Sequence, residues 1–171
     1  MLELIARTSA DVHPVRIDNP ALAAFHAYWD EKRGSRAMPF RAELDPAEFR
    51  NYLGWIVMAE ALPDYSDFRY RLIGTKITRY FQADNTGRTV TDTFRRFGPK
   101  TVDSILSVYR EATRGGRPVR VQGEADWLDD YQTFDALFLP LSDETGRSNV
   151  LMNVFTFDLD KAIQRSGGML R

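Results

Sequence analysis

The stretch that decides the fold runs from Trp55 to Arg88 and reads WIVMAEALPDYSDFRYRLIGTKITRYFQADNTGR. An apolar run extends from Trp55 to Leu62, and a second run, rich in aromatic and branched residues, extends from Phe68 to Ile73. Because a short turn with proline and aspartate separates them, the two runs predict a β-hairpin. After Gly74 the apolar residues recur at helical spacing until a polar turn. We expect the rest of the chain to pack around this hairpin and helix.

The chain before the hairpin predicts an arm followed by a helix. Residues 1–18 show weak periodicity and are predicted to form a flexible N-terminal arm. Asn19-Pro20 is typical of a helix start, and the predicted helix covers residues 19–34. One face of this helix is apolar and carries Leu22, Phe25 and Trp29. Such a face must dock on the sheet, on another helix or on a second copy of the chain.

The chain after the hairpin predicts one longer helix and three more strands. Gly98-Pro99 opens the helix and Gly115-Gly116 ends it. The strands are predicted over Val119 to Ala125, Gln132 to Leu141 and Asn149 to Asp158. Five antiparallel strands, with helices inserted between the second and the third, predict an α+β fold. Residues 19–171 are therefore predicted to form one domain that includes the N-terminal helix.

The composition excludes several classes of site. The chain has 171 residues, of which 43% are hydrophobic and 27% charged, which is typical of a single globular domain. It has no cysteine, so disulfides, thiolate catalysis and thiolate metal sites are excluded. We find no signal-peptide pattern and no apolar run of the ~20 residues that a membrane span needs. We therefore expect a cytoplasmic protein that does not bind membranes.

The charge is small in total and uneven along the chain. The net charge of −1 argues against a nucleic-acid binder. Between Arg69 and Arg120, however, 12 Lys and Arg residues face 4 Asp and Glu residues, whereas the remaining residues hold 11 against 20. One interpretation is a solvated basic surface that acidic loops balance elsewhere, and we favour it. The other is a binding site for a small anionic metabolite.

Five short stretches, in their order and spacing, carry a resemblance to a known family. They are FHAYWDEKRG, MPFRAELDP, FRYRLIGT, DNTGR and LFLPL, and they span Phe25 to Phe157. With them the chain resembles a PAS domain, in particular the stand-alone bacterial PAS family with an N-terminal helix. The resemblance implies a five-stranded antiparallel sheet with a ligand-sized pocket between the sheet and the helices. It also implies frequent dimerisation through the N-terminal helix.

The function expected from this resemblance is that of a non-catalytic sensory module in signalling, acting through small-ligand binding, protein contacts or both. A homodimer contact is expected through Leu22, Phe25 and Trp29. The sequence carries no kinase, cyclase or DNA-binding segment, so the output is expected to pass in trans to an unidentified signalling protein. The ligand itself does not follow from the fold, because PAS domains bind many different ligands and some bind none.

Several cofactors of the family can be tested against the residues. Light-sensing flavin chemistry and thioester-linked chromophores need a cysteine, which the chain lacks. Haem usually needs a histidine ligand, but His13 and His26 both precede the sheet, and the segment from Lys100 to Arg114 contains none. Histidine-ligated haem is therefore disfavoured, whereas non-covalent flavin and a Tyr or Met haem ligand stay open. No metal site is predicted, because His26 lacks a second histidine at ligand spacing.

Arg71 is the first candidate for a ligand contact. Strict alternation within FRYRLI would place Phe68, Tyr70 and Leu72 on one face of the strand and the other three residues on the opposite face. One interpretation of Arg71 is a cross-strand ion pair with Glu60, which would stabilise the sheet by roughly 0.2–1 kcal/mol. The other is a guanidinium offered to an anion in the pocket. We favour the ion pair.

Three further residues are candidates for the same pocket. Tyr80 and Tyr109 lie on the two helices that are predicted to cover it. Asn153 lies in the middle of an apolar strand, where a polar side chain needs either a neighbouring group or a ligand as its partner.

The alternative to a sensory module is a small α+β enzyme of the isomerase or dehydratase kind. It would use Asp135 and Tyr131 as acid and base, because a buried aspartate in a strand can have a raised pKa. An aspartate in this position more often points to solvent or pairs with an arginine, and we favour that interpretation. We therefore predict no catalytic residue and expect that the chain is not an enzyme.

Overall fold

The computed structural model describes residues 4–8, 17–125 and 132–157. Its centre is an antiparallel sheet of six strands. The strands are β1 (Leu4–Thr8), β2 (Ile56–Ala61), β3 (Phe68–Ile73), β4 (Val119–Ala125), β5 (Gln132–Ser142) and β6 (Ser148–Phe157). They lie in the order β1-β4-β5-β6-β2-β3, so the predicted hairpin forms one edge of the sheet.

Four α-helices pack against the sheet, namely α1 (Pro20–Arg33), α2 (Thr75–Phe81), α3 (Val90–Phe94) and α4 (Pro99–Gly115). Short 3-10 segments cover Arg41–Glu43, Pro46–Trp55, Pro63–Tyr65 and Arg95–Phe97. The start of α1 has the predicted chemistry, because the side chain of Asn19 accepts hydrogen bonds from the first backbone N–H groups. The predicted α+β fold is confirmed. Over the described ranges, no helix combines the length and apolar character that crossing a membrane requires.

The sixth strand corrects the prediction for the N-terminus. The sequence predicts a flexible arm over residues 1–18, but five of these residues form β1. This strand pairs antiparallel with β4, with Ala6 opposite Val121. The edge of β4 offers backbone N–H and C=O groups to any extended segment, and such pairing depends little on side-chain pattern. The weak periodicity of the segment therefore did not reveal it.

The two faces of the sheet pack against different helices. Side chains alternate along a strand, so β6 contributes to both cores. Leu151, Phe155 and Phe157 belong to the core shared with α2, α3 and α4. Val150, Met152 and Val154 belong to the core shared with α1.

Helix α1 covers its face of the sheet within the same chain. Leu22, Phe25 and Trp29 are 0%, 1% and 4% exposed. The indole N–H of Trp29 donates a hydrogen bond of 2.7 Å to the carbonyl of Pro140 in β5. These side chains therefore pack within the chain itself, and the predicted dimer contact through them, which stays a prediction, would require α1 to leave the sheet. The apolar face of α1 packs against the apolar side chains on this face of the sheet, because burial removes both surfaces from water.

A β-bulge in the hairpin changes which side chains face inward. Tyr70 lies opposite Ala59, but Leu72 lies opposite Met58, so Arg71 is an extra residue in β3. Ile73 consequently packs into the same core as Tyr70. Strict alternation placed Ile73 on the opposite face, and that prediction is wrong because the bulge interrupts the alternation.

A candidate ligand cavity between the sheet and helices α2 to α4

A cavity of about 80 Å³ lies between the sheet and helices α2, α3 and α4. Its lining on the sheet includes Val57, Tyr70, Ile73, Val121, Phe138 and Phe155. Its lining on the helices includes Ile77, Tyr80, Phe94, Ile105, Val108 and Tyr109. Among the described residues that line it, none carries a charged side chain. The cavity therefore offers an apolar environment with a few hydroxyl and amide groups.

Helix α4 positions one wall of the cavity. Gly98 has φ +91°, which favours glycine, and Pro99 follows at the first helical position. The buried face of the helix presents Tyr109, whose ring contacts Phe68 at 5.0 Å and Phe138 at 5.2 Å between centroids. These contacts hold the phenol ring against the sheet, where Tyr109 forms part of the cavity wall.

Helix α2 positions the opposite wall. A Cβ atom at Gly74 would lie 2.3 Å from the carbonyl oxygen of Gly54, so only glycine allows the helix to start this close to the preceding 3-10 segment. The ring of Tyr80, near the end of the helix, stacks on Phe157 at 4.1 Å. It also lies 6.0 Å from the ring of Trp55. The close approach of the two glycines thus sets the place of Tyr80.

A short polar network borders the cavity. The side-chain amide of Asn153, which is 0% exposed, donates a hydrogen bond of 3.0 Å to the hydroxyl of Tyr109. A further hydrogen bond joins the hydroxyls of Tyr109 and Tyr70. Burial raises the pKa of both tyrosines above the ordinary value of 10, so both hydroxyls are neutral at pH 7. Among the described residues, none forms a hydrogen bond with the carbonyl oxygen of the Asn153 side chain.

The structure places the four predicted ligand residues in three different positions. Tyr80 and Tyr109 line the cavity. Asn153 does not line the cavity but donates a hydrogen bond to Tyr109, which does. Arg71 lies outside the cavity, and its Nε donates a hydrogen bond of 2.5 Å to Glu60. The predicted Glu60–Arg71 pair is confirmed, and the placement of Arg71 beside an anion in the pocket is corrected.

Tyr70 is one of the cavity residues that sequence reasoning missed. It lies in the edge strand between two arginines, and its side chain is 5% exposed. Its alternation with Phe68, together with a hydroxyl that needs a buried partner, was the signal that could have identified it. Ile73 carried no such signal, because only the bulge turns it inward.

The chain shows its family once these features are compared with known proteins. The sequence profile of a PAS domain family matches residues 17–156. The chain belongs to the PAS domain family. No curated protein matches it.

A solved structure of an RNA-binding light-oxygen-voltage receptor is similar to this PAS domain in fold. The TM-score is 0.50 and the sequence identity is 12%, over 97% of this chain and 41% of the receptor. The chain thus spans less than half the length of that receptor. At this level of identity the likeness concerns the fold alone.

The acidic residue of the enzyme alternative lies on the wrong side of this PAS domain. Asp135 is 8% exposed and accepts hydrogen bonds of 2.9 and 2.5 Å from the guanidinium of Arg120. Its neighbour across the sheet, Thr156, accepts a hydrogen bond from Asn19 at the start of α1. The carboxylate therefore belongs to the α1 face, away from the cavity, and pairs with arginine as favoured. Tyr131 lies outside the described residues.

His26 also lies on the α1 side of the PAS domain. It is half-buried in α1, and its ring is 6.5 Å from that of Trp29. Burial lowers its pKa below the ordinary value of 6.5. The sheet separates it from the cavity, so it does not meet a ligand there. His13 lies outside the described residues.

A second cleft of about 380 Å³, which we call the outer cleft, adjoins the cavity of the PAS domain. Four residues line both spaces, namely Phe81, Ala83, Asn85 and Thr93. The outer cleft is further lined by three arginines and one aspartate, Arg88, Arg95, Arg96 and Asp92.

The loop beside this outer cleft is bonded to the edge strand. The backbone N–H of Gly87 donates to the carbonyl of Tyr70 at 2.8 Å, and the N–H of Tyr70 donates to the carbonyl of Arg88 at 3.0 Å. Tyr70 therefore supplies its side chain to the cavity and its backbone to this loop.

Proposed function

We propose that this PAS domain is a non-catalytic sensory module that binds a compact, largely apolar molecule in the cavity. The observation that carries the proposal is the cavity itself, which has an apolar lining and neutral tyrosine hydroxyls at one side. An unfilled cavity lacks the dispersion contacts that side chains would make in a tightly packed core. A ligand that occupies it restores those contacts.

The lining supports a ligand with one polar group rather than several. Tyr70 and Tyr109 are neutral, so they can donate or accept a hydrogen bond but cannot balance a charge. The volume is well below the about 300–1,000 Å³ of pockets for drug-sized ligands. A single aromatic ring or a short hydrocarbon chain with a hydroxyl or carbonyl group fits this description.

The output is proposed to pass in trans to a signalling protein or to a second copy of the chain. Tyr109 links the cavity to Asn153 in the central strand β6. A ligand that displaces the Tyr109 hydroxyl would therefore change the hydrogen bonding inside the sheet. Self-association remains part of the proposal, but through surfaces other than Leu22, Phe25 and Trp29.

The first experiment is native mass spectrometry on freshly purified protein, which would report a bound small molecule as added mass and a homodimer as doubled mass. The second is a thermal-shift series with indole and 1-octanol as probes. At ten times its Kd, a probe stabilises the folded state by about 1.4 kcal/mol, which corresponds to a Tm increase of roughly 3–5 °C.

The matched variants are Val108→Phe and Leu72→Phe. Val108 lines the cavity, so a phenyl ring there occupies the proposed binding space and should abolish the increase in Tm. Leu72 is 41% exposed and lies outside the lining, so its variant should keep the increase. Equal increases in both variants, or no probe-dependent increase in the unmodified protein, would count against the proposal.

A further inference from the structure

We infer that the ligand is an amphipathic anion, with its apolar part in the cavity and its carboxylate or phosphate group in the adjoining outer cleft. This inference rests on the proposed function and names the chemical class of the ligand. It joins two spaces that differ in character and share one boundary.

The first step is the continuity of the two spaces. Phe81, Ala83, Asn85 and Thr93 line both the cavity and the outer cleft. Two of these residues are polar and two are apolar, so the boundary lies where the lining changes character. Asn85 is 6% exposed, and its side-chain oxygen accepts a hydrogen bond of 3.3 Å from Arg88. A ligand leaving the cavity at this boundary therefore meets a guanidinium group.

The second step is the charge of the outer cleft. Three arginines face one aspartate, which leaves an excess of positive charge. Arg95 pairs with Asp92 at 2.9 Å, but its side chain is 72% exposed. An ion pair this exposed contributes little, about 0.2–1 kcal/mol, so an incoming anion can replace it.

The third step is the availability of Arg96. Its guanidinium lies 4.7 Å from the centre of the Phe97 ring. Within the part of the chain that the structure describes, it forms no ion pair. Because a guanidinium offers two parallel N–H groups to a carboxylate or phosphate, Arg96 is the main head-group ligand in this arrangement. Arg88 supports it while holding Asn85 in place.

The size of the cavity limits the apolar part. A space of about 80 Å³ encloses a small ring or only part of an octyl chain, so the methylene groups nearest the head lie along the shared boundary, whereas a long acyl chain or a flavin does not fit. The shared chemistry is thus a compact apolar group that carries one anionic head. The anionic head group is either a carboxylate or a phosphate, and the experiment must distinguish the two.

The experiment compares four probes by isothermal titration calorimetry, namely octanoate, octyl phosphate, 1-octanol and acetate. Octanoate or octyl phosphate should bind about tenfold or more tightly than 1-octanol, because a hydrogen bond to a charged group contributes more than one between neutral groups. The tighter of the two identifies the head group. Acetate should bind far more weakly than octanoate, because it lacks the apolar part.

The variants are Arg96→Gln and the matched control Arg79→Gln. Arg79 is an exposed arginine on α2 that does not line either space. Arg96→Gln should reduce the affinity for octanoate to that for 1-octanol and leave 1-octanol unchanged, whereas Arg79→Gln should change neither. Raising NaCl from 0.05 to 0.5 M should weaken octanoate binding alone, since salt screens exposed charges.

The outcomes separate the two proposals. Equal affinities for 1-octanol and the anionic probes would overturn the inference and leave the cavity proposal standing. Acetate binding as tightly as octanoate would also overturn it, because the apolar part would then contribute nothing. If no probe with an octyl chain binds, or if Val108→Phe does not weaken 1-octanol binding, the proposed function fails as well.

Discussion

The two faces of the sheet differ in how completely they are filled. On the α1 face, apolar side chains from the helix and the sheet pack closely, Trp29 donates a hydrogen bond to Pro140, and Asp135 accepts one from Arg120. On the other face, the same strands border a cavity, and no residue in the described part of the chain bonds to the side-chain oxygen of Asn153. The difference supports the proposal that the α1 face serves stability and that a ligand binds on the opposite face.

The largest expected effect comes from breaking the filled face. Trp29→Ala removes a side chain that is 4% exposed together with its hydrogen bond to Pro140. We expect a loss of about 3–5 kcal/mol in the free energy of unfolding, because the truncation leaves a cavity. Urea denaturation measures this loss, and light scattering should show an unchanged mass. If the variant is stable and has half the mass of the unmodified protein, the result would support the predicted dimer contact through Trp29.

An intermediate effect comes from making one substitution on each face. Val154→Phe adds volume to the filled core beside α1, and overpacking of this kind should cost about 1–3 kcal/mol. Val108→Phe adds the same volume beside the cavity, where free space accommodates it, so the cost should be below about 1 kcal/mol. Urea midpoints of the two variants test this directly. A cost for Val108→Phe equal to that for Val154→Phe would mean that the two faces are equally filled.

The smallest expected effect concerns Arg71. Its side chain is 51% exposed and its partner Glu60 is 36% exposed, so the pair is screened by solvent. Arg71→Ala should change the free energy of unfolding by at most about 1 kcal/mol. It should leave the binding of indole and octanoate unchanged, because Arg71 lines neither the cavity nor the outer cleft. Calorimetry with both probes checks this. A weaker affinity of the variant for octanoate would indicate that Arg71 contacts the bound ligand after all.

Local patterns in the sequence predicted most of the elements. The bounds of β3, Phe68–Ile73, agree with the prediction, and α4 starts at the predicted proline. Turn residues and spacing are local properties, which explains why they could be read without the structure. Tyr80 and Tyr109 were placed at the cavity by the same logic, because each lies on a helix beside the sheet.

The missed features depend on contacts between distant segments. The apolar stripe of α1 was recognised, but which surface covers it depends on the opposite face of β5 and β6. Ile73 was placed from strict alternation, which a one-residue bulge interrupts. The pairing of β1 with β4 joins segments more than a hundred residues apart. No spacing along the chain encodes such a partner.

The double role of Tyr70 has a mechanical consequence. Its amide and carbonyl hold the loop that carries Arg88, and its hydroxyl is bonded to Tyr109 on α4. A head group that moves the guanidinium of Arg88 would therefore strain the edge strand, and the strand would carry that displacement to the longest helix. Binding of a head group in the outer cleft would thus be coupled to the position of α4 through Tyr70.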